Sequence, residues 1–186
     1  MNPLKKLTSQ TAIYGLSSVI GRLLNYLLVP LYTRYFLPAE YGVVTEIYAY
    51  VAFLVVILSY GLETAFFNFS KKENDINIVY STALISLIIS SIIFVLLMFA
   101  GSSSIANLLG YGIESKFVKW FAIIAGLDAI SSISFAKLRE KERAVRFTTI
   151  RLLGIFTNIS LNLYFIVHKG LGIEYIFISH LICSIF

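Results

Sequence analysis

An arginine in the middle of an apolar run is the first residue here that demands a chemical explanation. Arg22 sits with Asn25 near the centre of Thr8 to Phe36, TSQTAIYGLSSVIGRLLNYLLVPLYTRYF. A guanidinium stays charged when partly desolvated and presents several N–H donors in a rigid fork, so it suits capture of an anionic group in low-dielectric surroundings. Ser18 and Asn25 add neutral donors beside it. Such a charge facing lipid costs about 2.5–3.5 kcal/mol on insertion scales. Arg22 therefore either lines a water-filled cavity or pairs with a carboxylate. Glu46, Glu63 and Asp128 are the acidic residues available for that pairing, and an intramembrane pair cancels much of the cost of each charge. The sequence leaves both arrangements open.

The same three carboxylates have a second possible use, as a site for a coupling proton or sodium ion; otherwise they cap or bridge neighbouring helices. A second set of polar residues, Arg151, Gly154, Asn158 and Asn162, falls on one helical face. Asn158 and Asn162 read as cavity donors. Arg151 either joins them or snorkels to the cytoplasmic headgroups. Tyr14, Tyr26 and Tyr50 are packing residues or stacking platforms for a substrate. His168 and His180 are far apart, with no carboxylate pattern around them, and do not read as ligands. The single cysteine, Cys183, excludes an intramolecular disulfide and a cysteine metal cluster.

The elements that must position these groups are membrane helices. With 58% hydrophobic and 13% charged residues and a mean hydropathy of +0.84, the chain reads as an all-α polytopic membrane protein; soluble domains run nearer about 25% charged. Spans are expected at about residues 8–36, 43–69, 76–100, 116–137 and 146–168, each near the roughly 20 residues a crossing needs. A sixth helix from about residue 175 reaches Phe186 incomplete. The expectation is a six-helix N-terminal bundle of a two-bundle transporter, with its sixth helix cut short. On the first span Thr11, Tyr14, Ser18, Arg22, Asn25 and Thr33 share one side. Pro30 removes a backbone donor there and predicts a kink. Thr82, Ser86 and Ser90 recur every four residues on the third span and predict a close helix contact. Gly101 to Ser115 reads as an interfacial loop with a short amphipathic piece.

Lys5 and Lys6, Lys71 and Lys72, and the run KLREKERAVR from Lys137 to Arg146 share one side if the spans alternate. The positive-inside rule then puts the N-terminus in the cytoplasm. The net charge of +5 follows from this bias and gives no reason to expect a nucleic-acid partner.

The segment SQTAIYGLSSVIGRLLNYLLVPLYTRYFLPAEYGVVTEIYAY, followed by YGLETAFFNFS and the cytoplasmic FAKLREKERAVRF, resembles the polysaccharide-biosynthesis flippases. These are Wzx-type O-antigen transporters of the multidrug/oligosaccharidyl-lipid/polysaccharide exporter superfamily. The resemblance implies two bundles facing a central cavity in the bacterial cytoplasmic membrane. It implies an oligosaccharide on an undecaprenyl pyrophosphate carrier as substrate, with membrane lipid and the missing C-terminal bundle as partners. A cavity-facing arginine on the first helix carries over to Arg22, with Glu63 of GLETAFF beside it. Asn68 stands where a basic residue is common in the family, which argues against a phosphate contact at that position.

Several function classes compete. A lipid-linked oligosaccharide flippase makes and breaks no covalent bond, needs no cofactor, and draws on a proton or sodium gradient if it is coupled. A drug or cation antiporter of the same superfamily needs a carboxylate-dominated cavity, whereas the first helix offers an arginine. A membrane polysaccharide polymerase or glycosyltransferase needs a nucleotide-sugar domain, a carboxylate–metal cluster or a long catalytic loop. The sequence has no Gly-rich phosphate loop, paired-carboxylate motif or His/Cys cluster. The leading expectation is thus a flippase and not an enzyme.

Overall fold

A computed structural model describes residues 3–73, 75–110 and 115–184, with side chains from Ala12 onward except those of Ser17 and Ser18. The expected donor Ser18 therefore lies outside the described side chains. The described chain is helical throughout, without strands: α1 (Pro3–Tyr26), α2 (Leu28–Tyr35), α3 (Pro38–Ser59), α4 (Leu62–Ser70), α5 (Ile76–Ala100), α6 (Ser102–Leu108), α7 (Lys116–Glu140), α8 (Ala144–Asn162), a π-helical turn (Leu163–His168) and α9 (Glu174–Ser184). Among the described residues five helical stretches are long and apolar enough to cross a membrane: Ala12–Tyr35, Pro38–Ser70, Ile76–Ala100, Lys116–Glu140 and Ala144–His168. The protein is an all-α, multi-pass membrane protein.

Local chemistry sets the breaks and starts. The first span is interrupted at Leu27, whose N–H is shared between the carbonyls of Leu23 and Leu24 at 3.2 Å each. Pro30 explains the position, because a proline has no N–H for the carbonyl four residues earlier, Tyr26, and its ring crowds that oxygen. The second span is also interrupted, at Tyr60 and Gly61, where the sequence reads as one continuous apolar run. Gly61 has φ +75° and Tyr60 φ +29°; the left-handed backbone there suits only the glycine. Helix α3 starts at Pro38, where the fixed φ suits a first helical position. Glu40 reaches back to accept from the Leu37 N–H at 2.9 Å, the return half of a capping box. Helix α5 starts behind Asp75, whose Oδ1 accepts from the Asn77 N–H at 2.8 Å. The charge run from Lys137 is mostly helical. Only Lys141 to Arg143 separate α7 from α8, and Glu142 turns the chain with φ +52°.

The chain divides into two compact units. Unit one comprises Met1–Gly42 and Leu138–Phe186; unit two is Val43–Lys137. In unit two, α4, α5 and α7 pack around Phe66, Ala83, Leu87, Ile133 and Ala136. The helix-contact row on α5 is Ala83, Leu87 and Ser91, one position along from the expected Thr82, Ser86 and Ser90. Thr82 and Ser90 return their hydroxyls to the carbonyls of Ile78 and Leu87, and Ser86 shares a short hydrogen bond with Tyr60. Their polar atoms are satisfied without a tight interface. The close contact falls at Gly126 of α7, where an added Cβ would lie 3.3 Å from Val95 and 3.6 Å from Ser91. Outward-facing Ile85, Ile89, Ile92, Ile93, Leu96 and Leu97 on α5 are exposed, as befits a surface against acyl chains.

Candidate functional site

Unit one holds both polar sets found in the sequence. Its helices α1 and α8 pack together, and three contacts give their relative direction. The Tyr14 and Phe147 rings meet edge to face at 5.1 Å. A Cβ on Gly21 would lie 2.8 Å from Cδ1 of Ile155. Further on, where α2 continues the span, the Tyr32 hydroxyl donates to Oδ1 of Asn162 at 3.0 Å. Residue numbers rise together on both sides, so the first and fifth spans run parallel. Alternating crossings require this of two odd-numbered spans.

Parallel packing fixes which flank each polar residue occupies. Viewed from the N-terminus, both helices advance clockwise by about 100° per residue. From Gly21, which faces α8, Asn25 is turned by about +40° and Arg22 by about +100°. From Ile155, which faces α1, Arg151 is turned by about −40°, Asn158 by about −60° and Gly154 by about −100°. On two parallel neighbours, positive turns on one and negative turns on the other lead to the same flank. The two stripes thus border one side of a single seam. Arg22, Asn25 and Arg151 are exposed there, and among the described residues no atom beyond Gly154's own helix backbone and chain neighbours comes within 4 Å of a Cβ built on it. Arg151 stands about 7.5 Å nearer the N-terminal end of the seam than Arg22, five residues at about 1.5 Å each. Its guanidinium lies over the Phe147 ring at 5.8 Å.

Among the described residues of unit one, neither Arg22 nor Asn25 has a hydrogen-bond or ion-pair partner. The two expected asparagine donors on α8 behave differently from each other. Asn158 is half-buried, while Asn162 is fully enclosed at 0% exposure. The Asn162 amide is also fully engaged. Its Oδ1 accepts from Tyr32, and its Nδ2 donates to the Asn158 carbonyl at 2.9 Å and to Asn158 Oδ1 at 2.7 Å. Asn162 is a seam residue and does not line the open flank. It ties the displaced segment α2 to α8 just before the backbone widens into the π-helical turn, a distortion that recurs at functional sites. Tyr32 carries no sequence signal for this role, since its partner lies 130 positions away.

The three candidate carboxylates belong to unit two. Glu46 is half-buried and accepts from the Tyr50 hydroxyl at 2.7 Å; the spacing of four residues puts both on one helix face. Tyr50 is thereby a partner of Glu46, and its ring also lies 6.1 Å from that of Phe121. Glu63 occupies the first turn of α4, where a carboxylate complements the helix dipole. Asp128 is half-buried in the middle of α7.

Comparison with known proteins adds one finding. A family model described as polysaccharide biosynthesis protein matches residues 7–137. None of the curated proteins and none of the solved structures matches the chain. Arg22 and Asn25 lie inside the matched region, and the α8 stripe lies beyond it. With a match over most of its length, carried by membrane-spanning helices, this chain belongs to the polysaccharide biosynthesis protein family.

Proposed function

We propose that this chain is the N-terminal bundle of a flippase, one that moves a lipid-linked oligosaccharide across the bacterial cytoplasmic membrane for cell-surface polysaccharide synthesis. The observation that carries the reading is the seam between α1 and α8, where two polar stripes with two exposed arginines border one flank. A guanidinium left unpaired in hydrocarbon is costly, and a pyrophosphate headgroup supplies the missing partner. In this reading Arg151, nearer the cytoplasm, meets the anionic headgroup first and Arg22 receives it near mid-depth. The lipid tail stays in the bilayer. The saccharide occupies the aqueous cavity between this bundle and a second one, because alternating access rocks two walls about a site near the midplane. Glu46, Glu63 and Asp128 are the carboxylates available to bind a coupling proton or sodium ion. No bond is made or broken, so the protein acts as a transporter. The antiporter and polymerase readings lack an observation of equal weight.

Orientation follows from the lysine and arginine distribution, with the N-terminus and the Lys141 to Arg143 turn in the cytoplasm. The test uses the full-length protein in a flippase-deficient bacterial strain. Expression restores surface polysaccharide and clears the glycolipid that accumulates on the inner leaflet. An Arg22→Gln variant leaves the glycolipid in place. Normal surface polysaccharide from that variant would sink the phosphate role. Reaction of a cysteine at residue 142 with an impermeant thiol reagent in intact cells, Cys183 having been replaced, would reverse the orientation.

A further inference from the structure

Tyr26 is 70% exposed, and among the described residues it has no ring or hydrogen-bond partner. It stands one turn beyond Arg22, and with Asn25 it completes an i, i+3, i+4 triangle on one helix face, with Cβ atoms about 5–6 Å apart. Its depth is the unusual part. The apolar run of this span covers about residues 8–36, so Tyr26 lies about 6 Å from its centre at about 1.5 Å per residue. Tyrosines of the aromatic belt sit at the headgroup level, about 15 Å from the midplane. At mid-depth a phenol facing acyl chains leaves its hydroxyl without a partner, which is unfavourable. The helix also breaks directly behind it, at Leu27, and interrupted helices at membrane depth occur where protein or a cavity satisfies the backbone.

We infer that Tyr26 is a saccharide platform: its ring stacks on the sugar joined to the phosphate that Arg22 holds, and Asn25 hydrogen-bonds a hydroxyl or acetamido group of that sugar. This rests on the proposed phosphate role of Arg22 and adds which part of the substrate is read beside it. A pyranose presents a face of polarised C–H groups and a rim of hydroxyls. An aromatic ring offers a negative face to the first, and a carboxamide offers a donor and an acceptor to the second. The cation and the ring lie one turn apart, so the phosphate and the sugar next to it can be contacted together. The site thus discriminates a glycosylated carrier from the bare carrier.

The experiment measures binding to the purified full-length protein of two synthetic probes, geranylgeranyl pyrophosphate and the same lipid bearing one N-acetylhexosamine. Wild type is expected to prefer the glycosylated probe. Tyr26→Leu should lower affinity for that probe by about tenfold and leave the bare probe unchanged, the scale of one aromatic contact. Tyr26→Phe should retain most of the preference, and Arg22→Gln should weaken both probes together. Preference surviving in Tyr26→Leu overturns the platform while leaving the phosphate site standing. Equal loss of both probes in Tyr26→Leu also overturns it, assigning Tyr26 to the fold. Failure of wild type to bind either probe overturns the platform and the proposed function at once.

Discussion

On α5, in unit two, Thr82 and Ser90 turn their hydroxyls onto carbonyls of their own helix at 3.0 and 3.2 Å. On α1, in unit one, Arg22 and Asn25 hold far more polar groups outward and have no partner among the described residues of that unit. Burial follows the same division. In α7, 44% of the apolar window is enclosed, against 12% in the first span and 11% in the fifth. Small residues explain α7: Ala122, Ala125, Gly126, Ala129 and Ala136 are all buried, and such residues let helices approach closely where lipid supplies no hydrophobic drive. The first and fifth spans keep open polar surface instead. Under the proposed function, stability and recognition rest on different helices, so substitutions in each should fail in different ways.

The largest expected effect is at Arg22. In the full-length protein Arg22→Gln should lower export by at least about a hundredfold, the scale of an unreplaced charge-assisted, bidentate contact worth about 3 kcal/mol. Arg22→Lys should restore only part of it, because lysine keeps the charge and loses the fork. Membrane abundance, read by immunoblot, should stay at the wild-type level in both. If abundance falls in step with export, Arg22 belongs to the fold and the contrast between the units collapses.

Gly126→Leu asks the converse question. A Cβ there already meets Val95 at 3.3 Å, so a branched side chain forces α5 and α7 apart at a cost of about 1–3 kcal/mol. The expected result is a fall in abundance and in melting temperature in detergent, with export per folded molecule unchanged. Wild-type thermal stability would show that unit two tolerates looser packing than its burial implies.

A smaller effect is expected at the triad of Tyr32, Asn158 and Asn162, two of them buried and Asn158 half-buried. A double-mutant cycle of Tyr32→Phe and Asn162→Leu should give a coupling of about 0.6–1.7 kcal/mol, as for other interhelical hydrogen bonds in membranes. A coupling near zero would detach α2 from α8 and remove the tie across the Leu27 break.

How much of this the sequence disclosed depends on whether the cause was local. Spans could be read from hydropathy, and the break in the first span from Pro30, because a missing N–H acts within one turn. The break at Tyr60 and Gly61 was not legible. A glycine in an apolar run is equally at home in a continuous membrane helix, and only its φ of +75° distinguishes the two. The polar stripes on α1 and α8 were legible as periodicities; their common flank was not, since it depends on the contact of Gly21 with Ile155. The enclosure of Asn162 was hidden for the same reason. A buried asparagine and a cavity asparagine have identical spacing, and the difference lies in Tyr32. On α5 the small polar row was visible, but the packing row was its neighbour, because a hydroxyl bonded to its own helix needs no close partner.

The smallest predicted effect comes from a buried α5 hydroxyl that departs from the pattern of Thr82 and Ser90. Ser91 is 2% exposed, and among the described residues its Oγ has no hydrogen-bond partner, although its Cβ side borders the Gly126 crossing at 3.6 Å. A buried hydroxyl without a partner carries a desolvation cost of about 1–3 kcal/mol. Ser91→Ala removes the oxygen while keeping the small Cβ that the crossing requires. The expected outcome is a modest gain, about 0.5–1 kcal/mol after the cost of the vacated volume, read as a rise in detergent melting temperature with export unchanged. A fall in melting temperature would mean that the hydroxyl is engaged in the membrane, and that unit two, like unit one, keeps a polar group for something beyond its own packing.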